Sequence, residues 1–175
     1  MSKVLIAFFS RNGQNYVNGS IKNLLVGNTE VVAGMIKEII GGDMFKIDTV
    51  KDYPADYTQA TNVAKDELSA KARPELTAKV DNMDEYDTIV LGYPNWWGAM
   101  PMAVYTLLEE YDFSEKTILP YCTHEGSGLS GTEREIAREC PKATVRGGLS
   151  ILGTNAGSAN KSVESWVNQY EDYRS

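Results

Sequence analysis

Short, nearly unbroken apolar runs recur along the chain at Val4–Phe9, Met44–Asp48, Thr88–Tyr93, Thr117–Cys122 and Thr144–Leu152, rich in β-branched and aromatic residues. Runs of this length without polar alternation suit strands covered on both faces, as in parallel sheets. Between them the apolar spacing changes to a helical period. Thr29, as an N-cap followed by acidic Glu30, opens a segment that puts Val32, Met35, Ile36, Ile39 and Ile40 on one side and stops at Gly41-Gly42. A mostly polar helix is predicted from Tyr57 to Lys71 and an apolar one from Met100 to Tyr111, with Pro101 in its first turn. Thr132–Cys140 and Ser158–Tyr170 complete the series.

Strands alternating with helices imply βαβ units, and right-handed crossovers then give a parallel sheet with helices on both faces. The expected fold class is a doubly wound α/β domain. At 175 residues the chain reads as a single domain, 1–175, long enough for a substantial core.

Charge narrows the partners. Lys and Arg number 17 against 24 Asp and Glu, a net charge of −7, and no basic run is present. That argues against nucleic-acid binding, which needs clustered cations facing phosphates. No apolar stretch reaches the roughly 18 residues of a membrane span, and the start lacks a signal-peptide cleavage pattern. The two cysteines, Cys122 and Cys140, form neither a metal spacing nor a disulfide framework. A cytoplasmic protein with no membrane partner is the expectation.

In open parallel sheets, ligands bind beyond the carboxyl ends of the strands, at the topological switch point. Three loops therefore carry the candidate chemistry. The first reads Ser10-Arg11-Asn12-Gly13, continues through a polar stretch and ends in Gly27-Asn28-Thr29 at a helix start, a place where backbone N–H groups and the helix dipole favour an anion. The same residues also read as no more than a turn and a cap. Neither a P-loop nor a G-x-G-x-x-G fingerprint is present. The second loop, Tyr93-Pro94-Asn95-Trp96-Trp97-Gly98, places two adjacent indoles at a strand end, flat surface suited to stacking on a planar heterocycle. The third, Thr123-His124-Glu125-Gly126-Ser127-Gly128, offers backbone donors to the edge of a polar ring. A Cys122–His124 nucleophile pair is the rival reading. It is set aside because Cys122 ends a buried run with no elbow to present it.

Taken in order, Phe8-Phe9-Ser10 with Gly27-Asn28-Thr29-Glu30, then Gly92 to Gly98, then Thr123 to Gly128 resemble the flavodoxin-like family that binds FMN, over nearly the whole chain. The resemblance implies a five-stranded parallel sheet in the order 2-1-3-4-5. It implies that Ser10, Asn12, Asn28 and Thr29, with Arg11 beside them, hold the phosphate. Pro94, Asn95, Trp96, Trp97 and Gly98 would line the isoalloxazine, and Thr123, His124, Ser127 and Gly128 its other edge. Two departures stand out: residues 14–26 interrupt what is usually a compact phosphate turn, and the acidity is modest for an electron carrier. The insertion is expected to fold over the phosphate or to reach a partner subunit.

Three functions are open, the first two with FMN as cofactor. The first is an electron-transfer flavodoxin serving redox partner proteins. The second is an FMN-dependent NAD(P)H:quinone-type oxidoreductase with a small-molecule electron acceptor. The third is a flavin-free regulatory module on the same fold. The chain is expected to act as a monomer or homodimer, with no catalytic side chain and no metal.

Overall fold

The computed structural model describes residues 2–170. Strand β1 (Val4–Phe8) is buried along its whole length, as its unbroken apolar run requires. Next come an antiparallel pair, β2 (Gly13–Val17) and β3 (Ser20–Leu24), then helix α1 (Asn28–Ile40), β4 (Asp43–Lys46) and α2 (Tyr57–Ala70). The chain continues through β5 (Thr88–Pro94), α3 (Met102–Glu110), β6 (Thr117–His124), α4 (Thr132–Glu139), β7 (Thr144–Val145), β8 (Leu149–Leu152) and α5 (Asn160–Asn168). The main sheet runs β4-β1-β5-β6-β7, every pairing parallel, with β8 also on β6. With β7 and β8 taken as one interrupted strand and the hairpin set apart, this is the expected doubly wound order.

Side chains of the central strands alternate between two cores. Leu5, Ala7, Ile89, Leu91 and Ile118 pack with Val104, Leu107 and Leu108 of α3 and Ile136 of α4. Val4, Ile6, Phe8, Val90, Leu119 and Tyr121 pack with Val32 and Ile36 of α1 and with Val163, Trp166 and Val167 of α5. Period-2 geometry feeds both layers, so the strands read as continuous apolar runs. Gly92 is required by this packing, because a Cβ there would lie 2.1 Å from the Tyr121 ring. No helix among the described residues is long and apolar enough to cross a membrane.

The structure corrects several boundaries. The last strand is broken at Arg146-Gly147-Gly148, because side chains take over the backbone groups there. The Trp166 indole donates to the Gly147 carbonyl at 2.9 Å, and Glu133 accepts from the Gly148 N–H at 2.7 Å. The edge strand β4 begins at Asp43 instead of Met44, and α3 starts after Pro101, which precedes it as the N-cap. Thr29 is not the N-cap of α1; Gly27 is. The insertion forms the β2–β3 hairpin, closed by Asn18 and Gly19 with φ of 51° and 83°. An Asn-Gly pair with both residues left-handed makes a tight turn whose twist matches the two strands.

Candidate functional site

Strands β1, β5 and β6 deliver their carboxyl ends to one edge of the sheet, and the loops that follow enclose two adjoining hollows of about 200 and 430 Å³. The first lies over the start of α1. Gly27 has no side chain to cap that helix, and the Ser10 hydroxyl does so, accepting from the Glu30 N–H at 3.1 Å. A Cβ on Gly27 would sit 2.2 Å from that hydroxyl oxygen, so only glycine fits. The first helical bond runs from Val31 to the Gly27 carbonyl, which leaves the Asn28 and Thr29 N–H groups with no acceptor inside the helix. Those donors, at the positive end of the helix dipole, face the first hollow.

Around them, Thr29 and Thr123 share a buried hydroxyl–hydroxyl bond of 2.8 Å, and Tyr121, fully buried beneath, donates to the Thr29 carbonyl at 2.8 Å. Arg11 lines both hollows. Its guanidinium donates to the carbonyls of Gln14, Pro54 and Ala55 and pairs with no carboxylate among the described residues, and burial lowers its pKa below the usual value. At the floor, Glu125 Oε1 and Asn28 Nδ2 lie 2.5 and 2.7 Å from the place a Cβ on Gly153 would occupy.

The second hollow belongs to the tryptophan loop. Mutual backbone bonds between Trp96 and Ala99 (2.9 and 3.1 Å) close a tight turn with Trp97 and Gly98 both left-handed, φ 57° and 75°. A bulky aromatic held there stores backbone strain, a feature that gathers at ligand sites. The two indoles have different surroundings. Trp96 is packed edge-on by Phe9 and Tyr53, with ring centroids 5.0 and 5.2 Å away. Trp97 is 52% exposed, held by a 2.9 Å bond from its indole N–H to the Thr61 carbonyl, with the Lys65 ammonium 5.3 Å from its ring centroid. Ala60, Thr61 and Ala64 of α2 line the same hollow with small side chains.

Asn95 ties this loop to the third. It donates through its side-chain amide to the Gly128 carbonyl and to Ser130 Oγ, both at 2.8 Å, and it accepts from the Gly98 N–H at 2.9 Å. His124 accepts from the Gly126 N–H at Nδ1 (2.8 Å), which assigns its own proton to Nε2. Cys122 is fully buried, its thiol directed at the carbonyls of Thr123 and Gly128, and burial pushes its pKa up to about 12. It is held as a thiol, which leaves no thiolate for nucleophilic work.

Of the residues singled out in the sequence, Arg11, Asn28, Thr29, Pro94, Asn95 and Trp96 meet in the first hollow with Thr123, His124 and Ser127, while Trp97 and Gly98 join the second. Ser10 and Gly128 stand behind the lining, holding the loops. Asn12 is exposed and outside both hollows. The structure adds Asn15 of the hairpin, Tyr57 at the start of α2 and Gly153 to the lining, and brings in Tyr16 of the interrupting segment and Glu125 of the third loop. The Asn18-Gly19 dipeptide was the available signal for the hairpin. Tyr16 and Tyr57 stack at 6.3 Å and 28°, and burial is the main reason the Tyr57 hydroxyl titrates higher than usual.

A doubly wound α/β sheet with donors and aromatic walls gathered at its switch point defines a class that takes a phosphate-bearing planar ligand. The sequence profile of the flavodoxin family matches residues 3–170, and the chain belongs to that family. No curated protein matches the chain. Among solved structures, a protein of Bacteroides eggerthii DSM 20697 is 24% identical with a TM-score of 0.78, covering 97% of this chain and 98% of its own. One from Bacteroides uniformis ATCC 8492 is 28% identical with a TM-score of 0.75, covering 95% and 98%. A flavoprotein of Lactobacillus acidophilus NCFM, solved in complex with FMN, is 18% identical with a TM-score of 0.68, covering 95% and 99%.

Proposed function

We propose that the chain binds FMN in this cleft and serves as an electron-transfer flavoprotein. One observation carries the reading: the free N–H groups that open α1 and the paired tryptophans face the same cleft from two sides. Its donor set fits the group. Asn28 and Thr29 offer backbone N–H, Asn28 an amide and Arg11 a guanidinium to a phosphate, while Trp96, Trp97 and Ser127 offer two apolar faces and a polar edge to a flat ring. That the similar Lactobacillus acidophilus flavoprotein was solved in complex with FMN supports FMN as the ligand.

Bound FMN would supply the redox chemistry, and the protein its position and electrostatics. The Asn28 and Thr29 N–H groups would hold the anion against the α1 dipole, and the Asn95 bonds set the gap between the two ring-flanking loops. Electron transfer asks for no side-chain acid or nucleophile, which agrees with a thiol kept protonated at Cys122. A second reading, an FMN-dependent reductase of a small acceptor, is favoured by the way the larger hollow extends past the tryptophans to the small residues of α2.

Titrating the protein with FMN tests the cofactor first. Quenching of flavin fluorescence to a one-to-one endpoint is expected, and unquenched FMN overturns the proposal in favour of a flavin-free module. Anaerobic reduction with dithionite then separates the two redox readings. Two one-electron steps fit the carrier, whereas a single two-electron step with turnover of NAD(P)H and a quinone fits the reductase.

A further inference from the structure

We propose that the β2–β3 hairpin is the element that selects a flavin mononucleotide over a flavin dinucleotide, by walling the phosphate end of the cleft. This rests on the FMN reading above. The hairpin does little for the fold: Val17 is its one buried side chain, and Tyr16 and Ile21 are exposed, as are Leu25 and Val26 behind it. Its fixed points are all around the cleft. Gln14 Oε1 accepts from the Tyr57 N–H at 2.7 Å, the Tyr16 ring stacks on Tyr57, and the Asn18 N–H at the tip reaches Glu125 Oε2 at 3.4 Å. The hairpin thus runs from the start of α2 to the loop after β6, and its tip meets the carboxylate that lies with Asn28 against Gly153.

A phosphate monoester ends where those donors are. A dinucleotide flavin continues from that phosphate into a second phosphate and an adenosine, which would have to leave through the space the hairpin tip occupies and past the Glu125 carboxylate. Steric exclusion then acts against the larger ligand without any added contact to the smaller one.

Chain geometry allows a clean excision. Gly13 pairs with Leu24 at the hairpin base, and the Arg11 carbonyl oxygen lies 2.5 Å from the position of a Cβ on Gly27, so the chain leaves and returns at one point. A variant lacking 13–26, with Asn12 joined to Gly27, has a short turn in place of the hairpin. Binding of FMN and FAD to both proteins by isothermal titration decides the matter. The intact protein is expected to prefer FMN by at least ~10-fold, and the shortened one by less than ~3-fold. An intact protein that takes both flavins equally, or an unchanged preference after excision, overturns the inference while leaving FMN binding in place. An intact protein that takes up neither overturns the cofactor reading and this one together.

Trypsin gives an answer in the intact protein if the shortened chain does not fold. Lys22 is exposed on β3. FMN is expected to slow cleavage after Lys22 by holding the hairpin down, and FAD to leave it unchanged. Equal protection by the two flavins overturns the inference.

Discussion

Trp96 and Trp97 are neighbours in sequence with opposite roles in the fold. Trp96 is held by Phe9 and Tyr53 and ties the tryptophan loop to the end of β1, whereas Trp97 presents its ring to the larger hollow from a strained backbone. Trp96→Ala is therefore expected to cost about 2–4 kcal/mol in urea unfolding through lost packing. Trp97→Ala should change stability by less than about 1 kcal/mol. The order reverses for ligand: losing one aromatic face, worth about 0.5–1.5 kcal/mol, should weaken FMN binding roughly fivefold in Trp97→Ala. Equal losses of stability in the two variants would show that Trp97 is a packing residue after all. At this scale the sequence showed that two indoles lie at a strand end, and their different surroundings came only from elements distant in the chain.

At the scale of elements, apolar runs marked the central strands β1, β5 and β6, whose burial on both faces leaves a pattern that needs no partner to be recognised, and helical spacing marked the helices. Their ends were less legible. Ser10, from the loop after β1, caps α1, and no local signal at Gly27 reveals a hydroxyl supplied from 17 residues away. The hairpin was missed because its strands are largely exposed and mostly polar, so only the Asn18-Gly19 turn marked it. Helix α2 is the opposite case, capped from next door by Asp56 Oδ1, which accepts from the Gln59 N–H at 2.9 Å. Asp56→Ala is expected to cost about 1 kcal/mol in thermal or denaturant unfolding. It should also raise tryptic cleavage after Lys22, since Tyr57, the residue that anchors the hairpin, is the first of α2. Unchanged cleavage would show that the hairpin is held without the start of that helix.

For the whole molecule, burial of weak acids sets an alkaline limit. Burial pushes the Cys122 and Cys140 thiols up to about 12 and about 11 and raises the Tyr93 hydroxyl as well. The unfolded chain then loses these protons at lower pH than the folded one and binds fewer of them in that range. Stability should be constant below the unfolded thiol values near 8.5, fall as pH rises past them, and be lost through the folded values near 11 and 12. Urea midpoints measured from pH 7 to 11 test this, and a midpoint that rises above pH 9 would contradict it. Cys122 should also resist iodoacetamide in the native state and label freely in urea.

The sequence by itself determined the layered α/β fold, the strand ends where a ligand would sit and the three loops that reach it, because each depends on local periodicity or on residue types set side by side. Tertiary structure alone decided that Ser10 caps α1, that Asn95 ties two loops, that the last strand breaks at Gly147-Gly148 and that the hairpin spans from Tyr57 to Glu125. Each of these is a bond or contact between groups far apart along the chain. No pattern within one segment carries such a pairing, since its geometry exists only once both partners have been packed into place.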